Sequence, residues 1–271
     1  MNEELKNKIK ELVRGEVFDD EESLNLYSKD ASLLEVRPQL VIWPKDGGDI
    51  QKLVKFVAEN KKENPDLSVT VRAAGSCMSG GSLNESIILD VSKHMNHFSI
   101  DAGNQTAEVE PGVFYRDFEP ETLKQGLILP CYTASKNICA LGGMIGNNCA
   151  GEKTLRYGKM ENYIEELTVV LRDGETHVFR GVPRPEAIRK SHEHDLEGEI
   201  YQYLMNLLDK NRELIAEEKP KVSKNSAGYY LWNVERNGFF DINRLLVGSQ
   251  GTLGIVTKAK IKLVPVEKYS K

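Results

Sequence analysis

Long apolar runs are missing from this 271-residue chain. Nothing approaches the ~18 consecutive apolar residues of a membrane-crossing helix, so no membrane span is expected. The opening Met1-Asn2-Glu3-Glu4-Leu5-Lys6 lacks the basic and then apolar regions of a secretory signal, and a cytoplasmic location is expected. Cysteine is scarce. The four, Cys77, Cys131, Cys139 and Cys149, form no C-x-x-C pair. That spacing argues against zinc, an iron–sulfur centre or a disulfide framework, and they read as small residues filling tight backbone. His94-x-x-His97 and His192-x-His194 stand without cysteines or carboxylates at ligand spacing, so they read as exposed polar residues and no metal site is expected. A basic excess is absent too. The net charge of −5 argues against a nucleic-acid-binding surface.

What is present is an ordinary globular composition, 40% hydrophobic and 28% charged, in a chain long enough for one large domain or two small ones. Three segments dense in small residues stand out. The first is Val71-Arg72-Ala73-Ala74-Gly75-Ser76-Cys77-Met78-Ser79-Gly80-Gly81-Ser82, between strand-like Val69–Arg72 and Ile87–Asp90. With few bulky side chains, successive backbone N–H groups can form a concavity suited to phosphate. Gly75 and Gly80 have P-loop separation, but Gly81-Ser82 stands where Lys-Ser or Lys-Thr should be. No G-x-G-x-x-G opens a helix here, so the loop is not a Rossmann fingerprint, and alone it also reads as a tight glycine turn. The second segment runs from Ala140 to Gly151, followed by Leu155-Arg156-Tyr157-Gly158, and the third is Gly248-Ser249-Gln250-Gly251-Thr252-Leu253-Gly254-Ile255-Val256-Thr257. Each places small residues beside a strand, where backbone must approach something closely.

The periodicities place these segments. Leu5, Ile9, Leu12 and Val13 share a helical face that Gly15 can stop. Ile50, Leu53, Val54, Val57 and Ala58 form a second helical stripe, with Asp46 or Asp49 as cap. Thr106–Glu110 alternates as a strand before Pro111-Gly112. A helix is expected from about Glu119 to Gln125, ending at Gly126, before the short run Leu127–Leu129. Leu167–Arg172 and Thr176–Phe179 form a hairpin in which Asp173-Gly174 supplies two positive-φ turn positions. Ile255, Thr257, Ala259, Ile261 and Leu263 alternate with Lys258, Lys260 and Lys262, as in a half-buried sheet edge. From about 181 to 243 the chain is charge-rich, with a helical stripe at Ile200, Leu204, Leu207 and Leu208 and then Asn225-Ser226-Ala227-Gly228-Tyr229-Tyr230. That stretch reads as a surface subdomain, or as one whose aromatic pair borders a pocket.

Taken in this order, the three segments resemble the FAD-binding domain of the vanillyl-alcohol oxidase and p-cresol methylhydroxylase family, the FAD-linked oxidases. They are most similar to the glycolate oxidase flavin subunit and D-lactate dehydrogenases. The likeness covers about Tyr27 to Pro265, and the third segment is its most specific part. Tyr27-Ser28-Lys29-Asp30 and Trp43-Pro44-Lys45 also stand where that family has Tyr-x-x-Asp and Pro-Lys. The resemblance implies an α+β fold of two subdomains. A small sheet (about 36–100) holds the first loop, a larger and mainly antiparallel sheet (about 101–267) carries the helical insertion, and FAD lies between them. Residues 1–35 would form an N-terminal helical segment.

The resemblance also implies which residues meet the cofactor. Backbone amides of Ala74, Gly75, Ser76, Cys77, Met78, Ser79 and Gly80 would face the pyrophosphate, with Arg72 as a nearby charge or a structural salt-bridge. Pro130, Ser135, Gly142, Gly143, Asn148, Gly151, Gly251 and Ile255 would meet the rest, whereas Arg156 and Tyr157 open a turn that can be purely structural. Family members that attach FAD covalently use a histidine near the position of Ser76. None stands here and the cysteines do not match, so non-covalent FAD is expected. Gln250 replaces the usual acid of the third segment. The implied chemistry is oxidation of a 2-hydroxy acid of D-lactate or glycolate type, with hydride passing to flavin N5. The family's cap domain, which carries the catalytic groups, is expected to be absent, so no catalytic residue is assigned. A separate cap or iron–sulfur subunit would complete the enzyme. A stand-alone flavin-binding or electron-transfer module is the alternative. A UDP-sugar enoyl reductase shares the fold, but its first-loop motif is not found.

Overall fold

A computed structural model of the chain describes residues 1–222 and 225–267. The first helix, α1 (Glu3–Leu12), starts at Asn2, whose side chain accepts from the Leu5 amide, and turns Leu5 and Ile9 inward. It ends at Leu12, not at Gly15. Gly15 lies where the chain passes β2, and a Cβ there would stand 1.9 Å from the Trp43 carbonyl oxygen. Strand β1 (Glu16–Phe18) pairs antiparallel with β2 (Leu40–Trp43). Helix α2 (Gly47–Asn60) follows, capped by Asp46 through the Gly48 amide. Asp49, the other candidate cap, is buried and accepts from the amides of Arg14, Gly15 and Lys45. Strands β3 (Val69–Arg72) and β4 (Ile87–Asp90) complete a sheet of order β1-β2-β4-β3, with β4 parallel to both neighbours.

Because β4 is central and covered on both faces, it reads as the apolar run Ile87-Ile88-Leu89, ended by the buried Asp90. Leu40, Ile42, Ile87 and Leu89 pack with Ile9, Ile50 and Leu53 on one face, while Val41 and Ile88 pack with Leu24 and Tyr27 on the other. Each fully buried leucine or isoleucine stabilises by about 1.5–3 kcal/mol before entropy is counted.

The second sheet uses β5 (Phe98–Asp101) and β6 (Thr106–Val109), then receives helices α3 (Tyr115–Lys124) and α4 (Leu141–Gly146) on its apolar face. Helix α3 begins four residues before the expected Glu119. Proline favours a helix's first turn, but Pro120 lies inside this one, and buried Tyr115 and Phe118 hold the turn before it. Strands β7 (Ile164–Val170) and β8 (Thr176–Arg180) form the expected hairpin. Its connection is longer than a two-residue turn, however. Only Gly174 has positive φ (77°), and Gly174 N–H donates to the Leu171 carbonyl at 2.9 Å. After the insertion with its helix α5 (Leu196–Lys210), β9 (Ile255–Lys262) enters the sheet.

The order is β5-β6-β9-β7-β8, antiparallel throughout, so β9 is central and not an edge. Its alternation arises because one face meets the helices and the other meets water, where Lys258 pairs with Glu108. Val170 and Ile255, from this sheet, pack into the core of the first. The two sheets with helices give the expected α+β architecture.

Candidate functional site

All three glycine-rich segments line a single cleft at the meeting of the two sheets. The first segment contributes the β3 end and the loop to β4, from Val71 and Ala73–Cys77 to Gly81 and Ser82. The second contributes Ala140, Gly142, Gly143 and Ile145–Asn147 of α4 and its ends, and the third contributes Ser249–Gly251 and Gly254. Two of these glycines hold left-handed backbone, Gly75 at φ 66° and Gly251 at φ 77°. A Cβ on Gly251 would also meet Val71 Cγ1 at 2.8 Å, so this turn passes β3 closely.

Of the sequence-derived site residues, Ala74, Gly75, Ser76, Cys77, Gly142, Gly143 and Gly251 line this cleft. The others do not, and each has another occupation. The Arg72 guanidinium donates to the Lys29 carbonyl at 2.8 Å and lies 5.1 Å from the Tyr27 ring centre. Met78 is 84% exposed, Ser79 Oγ meets Cys77 Sγ at 3.2 Å, and Gly80 gives way to Leu34. Pro130 is buried, and the Ser135 carbonyl accepts from the Ile138 and Cys139 amides. Gly151 lies where a Cβ would be 1.8 Å from the Tyr132 carbonyl oxygen, and Ile255 belongs to the core of the first sheet. That tyrosine's phenol donates to Glu152 at 2.6 Å and is pushed up to about 12 by burial and by this carboxylate.

Asn148 adjoins the cleft wall. It is fully buried at φ 43°, and its Oδ1 accepts from the Glu161 amide while its Nδ2 has no partner. Such an orphaned donor is costly to bury and calls for an acceptor. Among the lining residues to which the sequence assigned no role are Asn147, Ser249 and Gln250. Their signal was available, since all three lie inside the glycine-rich segments. Pro111, beside the cleft, had no such signal; it lines the wall because Gly142 packs on it, with an added Cβ only 2.7 Å from Pro111 Cβ.

The chemistry of the cleft is that of exposed backbone. Among the described residues none that lines it is charged. A Cβ placed on Gly143 would meet nothing within 4 Å, and one on Gly146 would meet only Gln250 Cα at 3.7 Å. An elongated ligand with a phosphate bridge fits such a wall, because N–H dipoles can meet the phosphates without a lysine.

Two sheets joined around a backbone-lined cleft define a nucleotide-cradling α+β domain. The chain belongs to the FAD binding domain family, which matches residues 38–180, more than half of its length. It is 31% identical to D-2-hydroxyglutarate dehydrogenase of Pantoea ananatis over 244 residues, 89% of this chain and 24% of that protein. It is 29% identical to glycolate oxidase subunit GlcD of Bacillus subtilis over 269 residues, 98% of this chain and 46% of that protein. The chain thus spans a quarter to under half of these relatives. Among solved structures, alkyldihydroxyacetonephosphate synthase superposes with a TM-score of 0.67 at 18% identity, covering 99% of this chain and 41% of that one. The 6-hydroxy-D-nicotine oxidase of Arthrobacter nicotinovorans superposes with a TM-score of 0.62 at 21% identity, covering 93% and 43%. These likenesses show the fold. Among the described residues no helix is long and apolar enough to cross a membrane.

Proposed function

We propose that the cleft holds FAD non-covalently and that the chain is the cofactor-holding part of a flavin-dependent oxidoreductase acting on a 2-hydroxy acid. The observation that carries this reading is the uncharged, backbone-lined cleft formed by all three glycine-rich segments. In it, the amides of Ala74–Cys77 hold the pyrophosphate, the α4 glycines leave room for the nucleotide, and Gly251 and its neighbours close the third side. When bound, FAD supplies the two-electron redox chemistry. No histidine stands among the lining residues and Cys77 is the one thiol there, held beside Ser79, which supports retention without a covalent bond.

The 2-hydroxy-acid class rests on relatives named for D-2-hydroxyglutarate, D-lactate and glycolate. Groups that act on the substrate would come from beyond the residues of this cleft, in a cap or iron–sulfur polypeptide, and the proposed location is cytoplasmic. The test is the visible spectrum of the purified chain before and after addition of FAD and gel filtration. One equivalent of flavin that is released into the supernatant by acid precipitation is expected. A chain that stays colourless defeats the assignment, and flavin that remains in the pellet defeats its non-covalent part.

A further inference from the structure

Outside the cleft, the most buried ion pair among the described residues joins Lys159 and Glu161, just before β7. Lys159 Nζ lies 3.3 Å from Glu161 Oε1, with side chains 13% and 6% exposed. The same ammonium donates to the Asn225 carbonyl at 2.8 Å and to the Tyr230 hydroxyl at 2.7 Å. Two hydrogen-bond acceptors and one carboxylate surround the ammonium, an arrangement that a planar guanidinium does not reproduce. Glu161 is held in turn by Asn233 Nδ2 at 3.0 Å, and its amide donates to Asn148 Oδ1 at 3.0 Å.

The segment from Asn225 to Tyr230 is therefore fastened at its base, and it bonds the second and third glycine-rich segments at two further points, each beside a lining residue. Ser226 Oγ donates to the Asn148 carbonyl at 3.4 Å. Tyr229 Oη and Thr252 Oγ1 are 2.7 Å apart, and Thr252 Oγ1 donates to the carbonyl of Ser249, a cleft residue, at 2.6 Å. Between these contacts Ser226, Ala227 and Gly228 are exposed, and Gly228 holds φ 73° with open space around it. A short exposed strap with one charged anchor and a bond to each of two loops that line a cleft is a brace.

We propose that Lys159 is a positioning residue that anchors residues 225–230 as a brace between the second and third glycine-rich segments, and that the brace slows release of the bound dinucleotide. The proposal rests on the reading of the cleft as an FAD site. Removing Lys159 alone would strand the Glu161 charge, which by itself destabilises a fold. The informative variant is therefore the double substitution Lys159→Met/Glu161→Gln, compared with Tyr229→Phe, which cuts the far end and leaves the anchor.

The experiment combines amide hydrogen exchange on the whole chain with the rate of FAD release, followed by recovery of flavin fluorescence. In the double variant, exchange of the amides at 225–230 should rise at least about ten-fold while β4 and β9 stay protected. FAD release should quicken by about ten-fold. Tyr229→Phe should quicken release without raising exchange at Asn225. Unchanged exchange at 225–230 overturns the anchor. A general rise that includes β4 and β9 reduces Lys159 to a structural role and also overturns it. A loosened strap with unaltered release overturns the coupling to the cofactor. Should the unsubstituted chain bind no FAD while the strap still loosens, the FAD reading falls and the anchor stands.

Discussion

Gln250 Nε2 donates to Asn147 Oδ1 at 3.2 Å, a side-chain bond that joins the third glycine-rich segment to the second across the cleft wall. A Cβ on Gly81 would come within 3.0 Å of Gln250 Oε1, so the same side chain also reaches the first segment. The residue holds φ 53°, and its amide N–H donates to the Gly146 carbonyl at 3.0 Å. The neutral amide at the position of the family's usual acid thus serves as a tie among three loops. The cleft gets its shape from backbone and its closure from a few short polar side chains.

Gly143 separates cofactor loss from fold loss. It lines the cleft in the middle of α4, and a side chain there points into open space. Glycine is a poorer helix former than alanine by about 0.8–1.0 kcal/mol and leucine ranks close to alanine, so Gly143→Leu should melt no lower than the parent. It should bind FAD at least about 100-fold more weakly, a difference of about 2.7 kcal/mol. Flavin titration and a melting curve check the two halves, and full FAD affinity would remove α4 from the site.

Gly151 should behave in the opposite way. An added Cβ would stand 1.8 Å from the Tyr132 carbonyl oxygen, a backbone atom that cannot swing aside. Gly151→Ala should cost about 1–3 kcal/mol or more of stability. The folded fraction should retain its FAD affinity. A variant that melts normally but releases FAD would make Gly151 a cofactor contact after all.

These two glycines show what the sequence could and could not say. A glycine that faces a ligand and one that faces its own chain look alike in one dimension; spacing marks both as close approaches without naming the partner. The small-residue segments and their adjoining strands were legible because few sequences crowd Gly, Ala, Ser and Asn beside an alternating strand. The central position of β9 was not, since a strand with one wet face alternates whether it lies inside the sheet or at its edge. Lys159 and Glu161 were invisible for another reason. They are two residues apart in a short, polar stretch, and only folding brings the Asn225 carbonyl, some 66 residues on, against the ammonium.

Acid should weaken the fold partly through Asp46. Its carboxylate pairs with Arg14 and caps α2 through the Gly48 amide, and the bond from Arg14 holds its pKa below the usual value. A carboxylate with a lowered folded pKa adds stability that is present above its unfolded pKa and is lost as pH falls through the folded one. Asp46→Asn keeps the cap and removes the charge. The variant should melt below the parent near pH 6, and the gap should close as pH is lowered past the ordinary aspartate range. A gap that stays constant down to the acid limit would assign the difference to the cap instead.

Salt provides the most direct check on what holds the phosphates. Lysine or arginine side chains reaching a dianion make affinity fall as added salt shortens the screening length from ~14 Å at 0.05 M to ~4 Å at 0.5 M. Backbone N–H groups in contact with an anion act over one bond length and are screened far less. The cleft has no charged lining among the described residues, and the nearest guanidinium on the first loop is already committed to the Lys29 carbonyl. FAD affinity should therefore change by less than about three-fold across that range. A ten-fold or steeper loss would mean that Arg72 leaves Lys29 for the pyrophosphate, and Arg72→Gln would then flatten the salt dependence.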